Sequence, residues 1–128
     1  MELRDAVEAD VGRLLALTDT PRDVMRNLVH DRTVRVAERE GELVGFVSFD
    51  AREGTVHVTQ LEGETDVYSD LLGEPVRFAR LEGMSVELLA PDTESDTEEA
   101  VDAAGFEHAG TGPYFDGEPT VRYRLENP

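Results

Sequence analysis

Apolar residues recur along the chain with two different spacings, and each change of spacing marks a new element. Spacings of three and four residues predict helices over residues 10–17, 20–31, 67–83 and 97–104. Alternation and short apolar runs predict strands over residues 2–6, 33–38, 43–50, 55–61, 84–90, 106–111 and 120–125. The predicted order is strand, two helices, a three-strand meander, helix, strand, helix and two strands.

Local signals refine these boundaries. Thr20 is predicted to cap the second helix, with Pro21 in its first turn. Pro75 lies inside the third helical pattern and predicts a kink or a restart there. Gly105 is predicted to close the last helix at the position after its cap. The near-continuous apolar run at 84–90 is typical of a buried parallel strand, and the preceding helix supplies the crossover that it needs.

The charge balance narrows the classes of partner. The 128 residues include 29 acidic and 12 basic ones, for a formal net charge of −17, and every basic residue is an arginine. This lysine-free, acid-rich composition resembles that of halophilic proteins, whose carboxylate surface stays hydrated in concentrated salt. Because no arginine cluster is present to neutralise phosphates, nucleic-acid binding is disfavoured. Mimicry of a nucleic acid, or binding of a basic partner, is the less favoured alternative, since the acid is spread over the whole chain.

Other residue types exclude several chemistries. The chain has no cysteine, which excludes disulfides, thiolate catalysis and zinc–sulfur sites. The three histidines are dispersed without metal-ligand spacing, so we predict no metal site. No apolar run approaches the roughly 20 residues that span a bilayer, and no signal-peptide pattern is visible. We therefore expect one cytoplasmic domain over residues 1–128 that does not bind membranes.

Four segments carry a family resemblance. They are Leu3-Arg4-Asp5-Ala6 before Asp10, Gly41 to Val47, Arg77 to Leu88, and Ala103-Ala104-Gly105-Phe106-Glu107 followed by Tyr114-Phe115-Asp116-Gly117. In this order they resemble the GCN5-related N-acetyltransferase (GNAT) superfamily. The resemblance implies an α/β (α+β) fold with a mixed, mostly antiparallel central sheet, splayed parallel strands 4 and 5, and about four helices.

The resemblance also implies a cofactor and its contacts. Acetyl-CoA would enter between the splayed strands, and backbone groups of Val58, Thr59 and Gln60 would hold its pantetheine arm. The pyrophosphate would meet the start of the third helix, where N–H groups and the helix dipole favour an anion. An amine, on a small molecule or a peptide, would attack the thioester directly.

The phosphate loop departs from the family pattern [RQ]-x-x-G-x-[GA]. Aligned backward from the Leu71-Leu72 pair, the two inner glycines are replaced by Asp66 and Tyr68. The predicted phosphate contacts are Thr65, Asp66, Val67, Tyr68 and Ser69. The alternative interpretation of this segment is an ordinary acidic loop and helix cap.

The catalytic positions depart as well. The family's proton-donating tyrosine corresponds to Val101, which carries no proton donor, so Tyr114 is the candidate substitute. His57 on the fourth strand is the candidate base, against the alternative of a half-exposed histidine with no catalytic role. Glu38, Glu62 and Glu87 are further carboxylates predicted near the cleft, although most acids in such a chain only solvate it.

Two functions follow from these observations. The first is a divergent GNAT-type acyltransferase that moves an acetyl group from acetyl-CoA to an amine. The second is a GNAT-fold binding module that has lost cofactor binding and catalysis, which the loop and Val101 favour. The sequence leaves the acceptor, the acyl group and assembly as a homodimer open.

The composition predicts that salt stabilises the fold. The melting temperature should rise between about 0.1 and 2 M potassium chloride, because the screening length falls from about 10 Å at 0.1 M to about 3 Å at 1 M. Thermal unfolding followed by circular dichroism measures this, with an uncharged osmolyte at matched osmolality as the control. A melting temperature that stays constant across the salt series would contradict the halophilic interpretation.

Overall fold

The computed structural model describes residues 1–114 and 117–128. Phe115 and Asp116, part of the segment predicted to join the last two strands, lie outside the described residues. The strands are β1 (Glu2–Asp5), β2 (Thr33–Arg39), β3 (Glu42–Arg52), β4 (Thr55–Gly63), β5 (Ser85–Pro91), β6 (Glu107–Thr111) and β7 (Thr120–Leu125). The α-helices are α1 (Val11–Leu14), α2 (Arg22–Asp31), α3 (Tyr68–Glu82) and α4 (Ser95–Ala103). Two short 3-10 turns, Glu8–Asp10 and Thr65–Val67, lead into α1 and α3.

All seven strands form one sheet in the order β1-β2-β3-β4-β5-β7-β6. Every neighbouring pair is antiparallel except β4 and β5, which run parallel with α3 as the crossover. The predicted mixed α+β fold, with its parallel fourth and fifth strands and four helices, is therefore confirmed. The sheet has helices on both faces, since α1 and α2 pack in one buried apolar cluster and α3 and α4 in the other.

Adjacent residues of β3 show how the two clusters divide. Phe46 packs with Leu14 and Met25 on the side of α1 and α2, whereas Val47 packs with Leu71 on the side of α3. Successive strand residues point to opposite faces, so a continuous apolar run is required where both faces are covered. This explains why β3 is apolar at nearly every position of its central part.

The predicted cap of α2 is wrong, and of the two alternatives predicted at Pro75 the restart is excluded while the kink stays a prediction. α2 begins at Arg22 with Pro21 in the cap position, and no side-chain hydrogen bond caps the helix. The hydroxyl of Thr20 instead accepts a hydrogen bond from Nε2 of Gln60 at 3.1 Å. α3 runs through Pro75 as one helix of 15 residues and does not restart there. At the end of α4, Gly105 has the positive φ of 88° expected of a residue that closes a helix.

A buried ion-pair network fixes the first strand to the first helix. Asp10 is 1% exposed, and its carboxylate accepts hydrogen bonds from Arg4 at 2.8 and 3.0 Å, from Arg13 at 2.7 Å and from the backbone N–H of Val7 at 2.9 Å. The hydrogen bonds from Arg4 hold the pKa of Asp10 well below its ordinary value, against the opposing effect of burial. Charge-assisted hydrogen bonds of this kind are strong. Loss of the carboxylate weakens the position of every group that donates to it.

Asp10→Asn should therefore destabilise the fold by about 2 kcal/mol, because it weakens the charge-assisted hydrogen bonds from Arg4 and Arg13, which keep Glu38 nearby, at 3.3 and 3.9 Å. The folded-state pKa lies below the unfolded one, so the contribution of Asp10 is present above about pH 4 and is lost as pH falls further. Urea denaturation in high salt at several pH values measures both effects.

Asp5→Asn is the matched control for this variant, since Asp5 is exposed and pairs with Arg35 at the surface. It should cost less than about 1 kcal/mol. Equal losses in the two variants, or a loss in Asp10→Asn that persists unchanged at low pH, would contradict the role given to Asp10.

Candidate functional site

A β-bulge in β4 sets the geometry of the site. Ser48 on β3 pairs with Gln60, but the next residue, Phe49, pairs with Val58, so Thr59 is an extra residue in β4. The hydroxyl of Thr59 hydrogen-bonds with the Ser48 hydroxyl at 2.6 Å and donates to the Ser48 carbonyl at 3.2 Å, which fixes the bulge to β3. A bulge bends and twists its strand.

The parallel pairing of β4 and β5 stops beside this bulge. It runs from Thr55–Ser85 to Val58–Leu88, and within the described residues no pair follows it. Beyond Val58 the strand β4 stays paired with β3 as far as Gly63, while β5 stays paired with β7 as far as Pro91. The two strands therefore diverge, as predicted, and the edge of β4 that faces β5 is left without a strand partner.

A cleft of about 540 Å³ occupies the gap between the diverging strands. It is lined by residues of β4 and β5 and of the segments that follow β5 and β6. The lining residues are Arg52, His57, Val58, Thr59, Gln60, Leu61, Glu62, Glu87, Leu88, Leu89, Ala90, Pro91, Glu94, Thr97, Pro113 and Thr120. Its size falls within the usual range of small-ligand sites.

A second cavity of about 470 Å³ lies between α2 and β4. It is lined by Val24, Asn27, Leu28, Asp31, Arg32, Thr59 and Gln60. Thr59 and Gln60 line both cavities, so the two cavities meet at the bulge. Two charged side chains line this cavity. Arg32 is bound to Asp50 at 3.0 Å, whereas Asp31 forms no ion pair with a described residue.

The cleft is acidic. Burial raises the pKa of Glu62 above its ordinary value, and the charges of Glu94 and Asp19 raise it further. Glu87 is bound by Arg124 at 2.8 Å, and half-buried His57 is its register partner on β4. Of the three carboxylates named from the sequence, Glu62 and Glu87 line the cleft, whereas Glu38 lies beside Arg4 at 3.3 Å. The sequence did not single out Glu94.

The predicted phosphate contacts lie at the start of α3. Thr65, Asp66 and Val67 form the 3-10 turn, and Tyr68 and Ser69 begin the helix. None of these five residues is among the cleft-lining residues in the described part of the chain, whereas Val58, Thr59 and Gln60 all line it. The predicted contacts to the pantetheine arm therefore line the cleft, and the predicted contacts to phosphate do not.

The predicted proton donor, Tyr114, and the position that it would replace, Val101, differ in how much of the side chain is exposed. Val101 on α4 is fully buried in the apolar core. The side chain of Tyr114 is 75% exposed, and its neighbour Pro113 lines the cleft. A second phenol, Tyr68, is 9% exposed, and burial together with the charges of Glu62, Glu94 and Asp96 raises its pKa.

Neither a metal-binding cluster nor a membrane-spanning helix occurs in the part of the chain that the structure describes. No group of three metal-ligating side chains occurs among residues 1–114 and 117–128. None of the helices in these ranges combines the length and the apolar character needed to cross a bilayer.

Solved structures show which proteins share this fold. An aminoglycoside 6'-N-acetyltransferase from Enterococcus faecium superposes with a TM-score of 0.82 at 14% identity, covering 100% of this chain and 98% of that one. A ribosomal-protein-alanine N-acetyltransferase from Brucella melitensis gives 0.78 at 19% identity, with 98% and 99% covered. The yncA protein of Salmonella typhimurium, solved with its cofactor acetyl-CoA, gives 0.82 at 15% identity, with 100% and 94% covered.

These superpositions show that the chain has the GNAT acetyltransferase fold, which confirms the resemblance of its segments at the level of architecture. No protein-family model and no curated protein matches the sequence. Identities of 14% to 19% fit a divergent chain.

Glu62→Gln should stabilise the protein near pH 7. Because the folded-state pKa of Glu62 is raised, the native state holds this proton to higher pH than the unfolded state does, and stability falls as pH rises between the two pKa values. Removing the charge should raise the melting temperature by a few degrees at pH 7 and by less at pH 4. Differential scanning calorimetry in high salt measures this shift.

Glu64→Gln is the control for this prediction, since Glu64 is exposed and lies 3.4 Å from Arg39. It should give no increase. A melting temperature that falls in Glu62→Gln would mean that the Glu62 carboxylate is not under repulsion.

Proposed function

We propose that this chain is an acyltransferase that moves an acetyl group from a thioester donor of the acetyl-CoA type to an amine. The observation that carries the proposal is the edge of β4 beyond Val58, which faces the cleft without a strand partner among the described residues. Backbone N–H and C=O groups on such an edge bind an extended, amide-containing chain by strand addition. Two of the structural neighbours are N-acetyltransferases, which supports the same class of reaction.

The residues of the cleft suit the arm of such a donor. Val58, Thr59 and Gln60 present the backbone of the bulged strand, and Leu88, Leu89 and Ala90 present that of the opposite wall. A bound thioester supplies an acyl carbon that an amine attacks, with the carbon–sulfur bond breaking as the carbon–nitrogen bond forms. The start of α3, where Asp66 and Tyr68 replace the two glycines of the family pattern, does not match the phosphate end of acetyl-CoA.

Glu62 is the proposed base. It is a half-buried carboxylate in the cleft, and its raised pKa brings it closer to the pH at which a base works best. In this role its carboxylate takes the proton that the amine nitrogen loses. His57, the base predicted from the sequence, lines the same cleft and stays the alternative.

A phenol is the proposed proton source for the departing sulfur. Tyr114 is the candidate predicted from the sequence; its side chain is 75% exposed, and its neighbour Pro113 lines the cleft. Tyr68, the phenol whose pKa burial raises, does not line the cleft in the described part of the chain and is not proposed for this role.

The cavity between α2 and β4 is the proposed entry for the amine. The Asp31 carboxylate attracts an ammonium group, while Val24 and Leu28 offer apolar contact to the remainder of a small molecule or a peptide side chain. This cavity meets the cleft at Thr59 and Gln60, which brings an acceptor held there towards the bulge.

The first test is ligand binding followed by turnover. In 2 M potassium chloride, millimolar acetyl-CoA should raise the melting temperature, because a ligand at a hundredfold excess over its Kd stabilises the native state by about 2.7 kcal/mol. With a panel of primary amines, a thiol reagent should then detect free thiol. Glu62→Gln should lower this rate by a factor of about 10² to 10⁴, the usual contribution of a general base.

Matched variants separate the candidates. His57→Gln keeps the rate if Glu62 is the base, and a larger loss in His57→Gln than in Glu62→Gln would transfer the role to His57. Tyr114→Phe tests the proposed phenol, and Tyr68→Phe is its control, since Tyr68 is buried in the apolar core and does not line the cleft. The pH–rate profile of the wild type should rise through the raised pKa of Glu62, and Glu62→Gln should lose that limb.

A binding module without catalysis is the second candidate. The observation that favours it is Val101, which fills the position of the family's proton donor and is fully buried among apolar side chains. A correctly folded sample that is not stabilised by any acyl thioester would favour this second function over the first.

A further inference from the structure

We propose that the cleft recognises the acyl-pantetheine arm alone, so that its donors are pantetheine thioesters in general and the nucleotide of acetyl-CoA contributes no affinity. This inference rests on the proposed acyltransferase function and narrows its donor class. It follows from three features of the junction between β4 and α3, each of which removes one means of holding a diphosphate.

The first feature is the length of the junction. β4 ends at Gly63 and the 3-10 turn begins at Thr65, so Glu64 is the only residue between them. Its backbone N–H donates to the carbonyl of Val44 at 2.8 Å and is therefore not free for a ligand. A loop that wraps around a diphosphate needs several consecutive free N–H groups. In the following turn the N–H of Val67 donates to the carbonyl of Glu64 at 3.1 Å and that of Tyr68 to the carbonyl of Thr65, so at most the N–H groups of Thr65 and Asp66 remain.

The second feature is a close backbone contact that holds the junction in place. At Gly63, with φ of 122°, an added Cβ would lie 2.4 Å from the Cα of Gly45 and 2.4 Å from the carbonyl oxygen of Val44. At Gly45, an added Cβ would meet Val67 and Leu71 at 2.9 Å. The end of β4 is thus pressed against β3 and the start of α3, without room to open into a phosphate loop.

The third feature is the side chains of the first turn. Val67 is fully buried and Tyr68 is 9% exposed, and both pack in the apolar core with Leu71. Tyr68 takes the place of the second glycine in the family pattern, so a buried side chain stands where that pattern has none. The turn is held by core packing, which opposes the movement that a closer approach to phosphate requires.

Charge acts in the same direction. Glu64 and Asp66 project from the junction, and both are bound by Arg39, at 3.4 and 3.2 Å. Arg39 is therefore already neutralised and offers no free positive charge to a phosphate. Glu94 and Asp96 add two more negative charges near Tyr68.

The arm-binding part of the site keeps its features. The unpaired edge of β4 is made of backbone, and the cleft walls at Val58 and Leu88 are apolar. An uncharged arm with two amide groups meets no repulsion from the carboxylates, whereas each phosphate does. Recognition of the arm therefore does not depend on the junction.

A series of donors that differ only in phosphate tests the inference. Calorimetric titration in 2 M potassium chloride should give the same Kd, within about threefold, for S-acetyl-pantetheine, S-acetyl-4'-phosphopantetheine and acetyl-CoA. A site built to hold the diphosphate would instead bind acetyl-CoA more than about thirtyfold tighter, since hydrogen bonds to charged groups are individually strong. The middle member separates a carrier-type phosphopantetheine donor from one without phosphate.

A double variant gives an independent measurement. Glu64→Gln with Asp66→Asn removes two charges and frees Arg39. At the lowest salt that keeps the protein folded, where charges are least screened, affinity for acetyl-CoA should increase by threefold or more while that for S-acetyl-pantetheine stays constant. Glu53→Gln with Glu82→Gln is the matched control, because both carboxylates are exposed and lie away from the junction. It should change neither affinity.

The outcomes separate this inference from the proposed function. Equal binding of the three donors, with selective gain in the double variant, supports both. Markedly tighter binding of acetyl-CoA by the wild type overturns the inference and leaves the acyltransferase function in place. Binding of none of the three donors by folded protein overturns the acyltransferase function and the inference with it.

Discussion

One extra residue in one strand determines most of what this molecule offers to a ligand. Thr59 interrupts the register between β3 and β4, and its hydroxyl, bound to Ser48, keeps the interruption in one place. Four paired positions hold β4 to β5, and beyond them the strands diverge. The cleft, the unpaired strand edge and the place where the two cavities meet all follow from that divergence. A sheet with continuous pairing at this point would have a closed core and no site.

The acidic charge is partly neutralised by arginines that are placed in pairs and networks. Arg4 and Arg13 meet at Asp10, Arg35 and Arg77 meet at Glu74, and Arg39 bridges Glu64 and Asp66. A guanidinium group suits this use because its planar, multiple donors bind carboxylates from several directions. This arrangement affects ligand binding, since an arginine that is paired with neighbouring carboxylates is not available to bind an anionic ligand. The ion pairs that reduce repulsion within the protein therefore also reduce the positive charge that it can offer to a ligand.

The sequence predicted the architecture better than the site, and particular residues show why. The periods of β2 to β5 and the glycine after α4 are local signals, and the structure confirms them. The cap at Thr20 was wrong because Thr20 is engaged by Gln60, a residue 40 positions away that no local pattern reveals. The bulge had a visible trace, since apolar spacing along β4 changes from two residues, Val56 to Val58, to three, Val58 to Leu61. The environment of Glu62 had none, because Glu94 and Asp19 approach it from separate segments.

The contact between Gly63 and Gly45 limits what substitutions within the phosphate-binding pattern can achieve. Glycines in place of Asp66 and Tyr68 would restore the letters of that pattern but would not release the backbone contact at Gly45. The letters of the pattern and the room for its ligand are therefore set by different residues. A chain can thus lose the use of a binding motif through a contact that the motif itself does not contain.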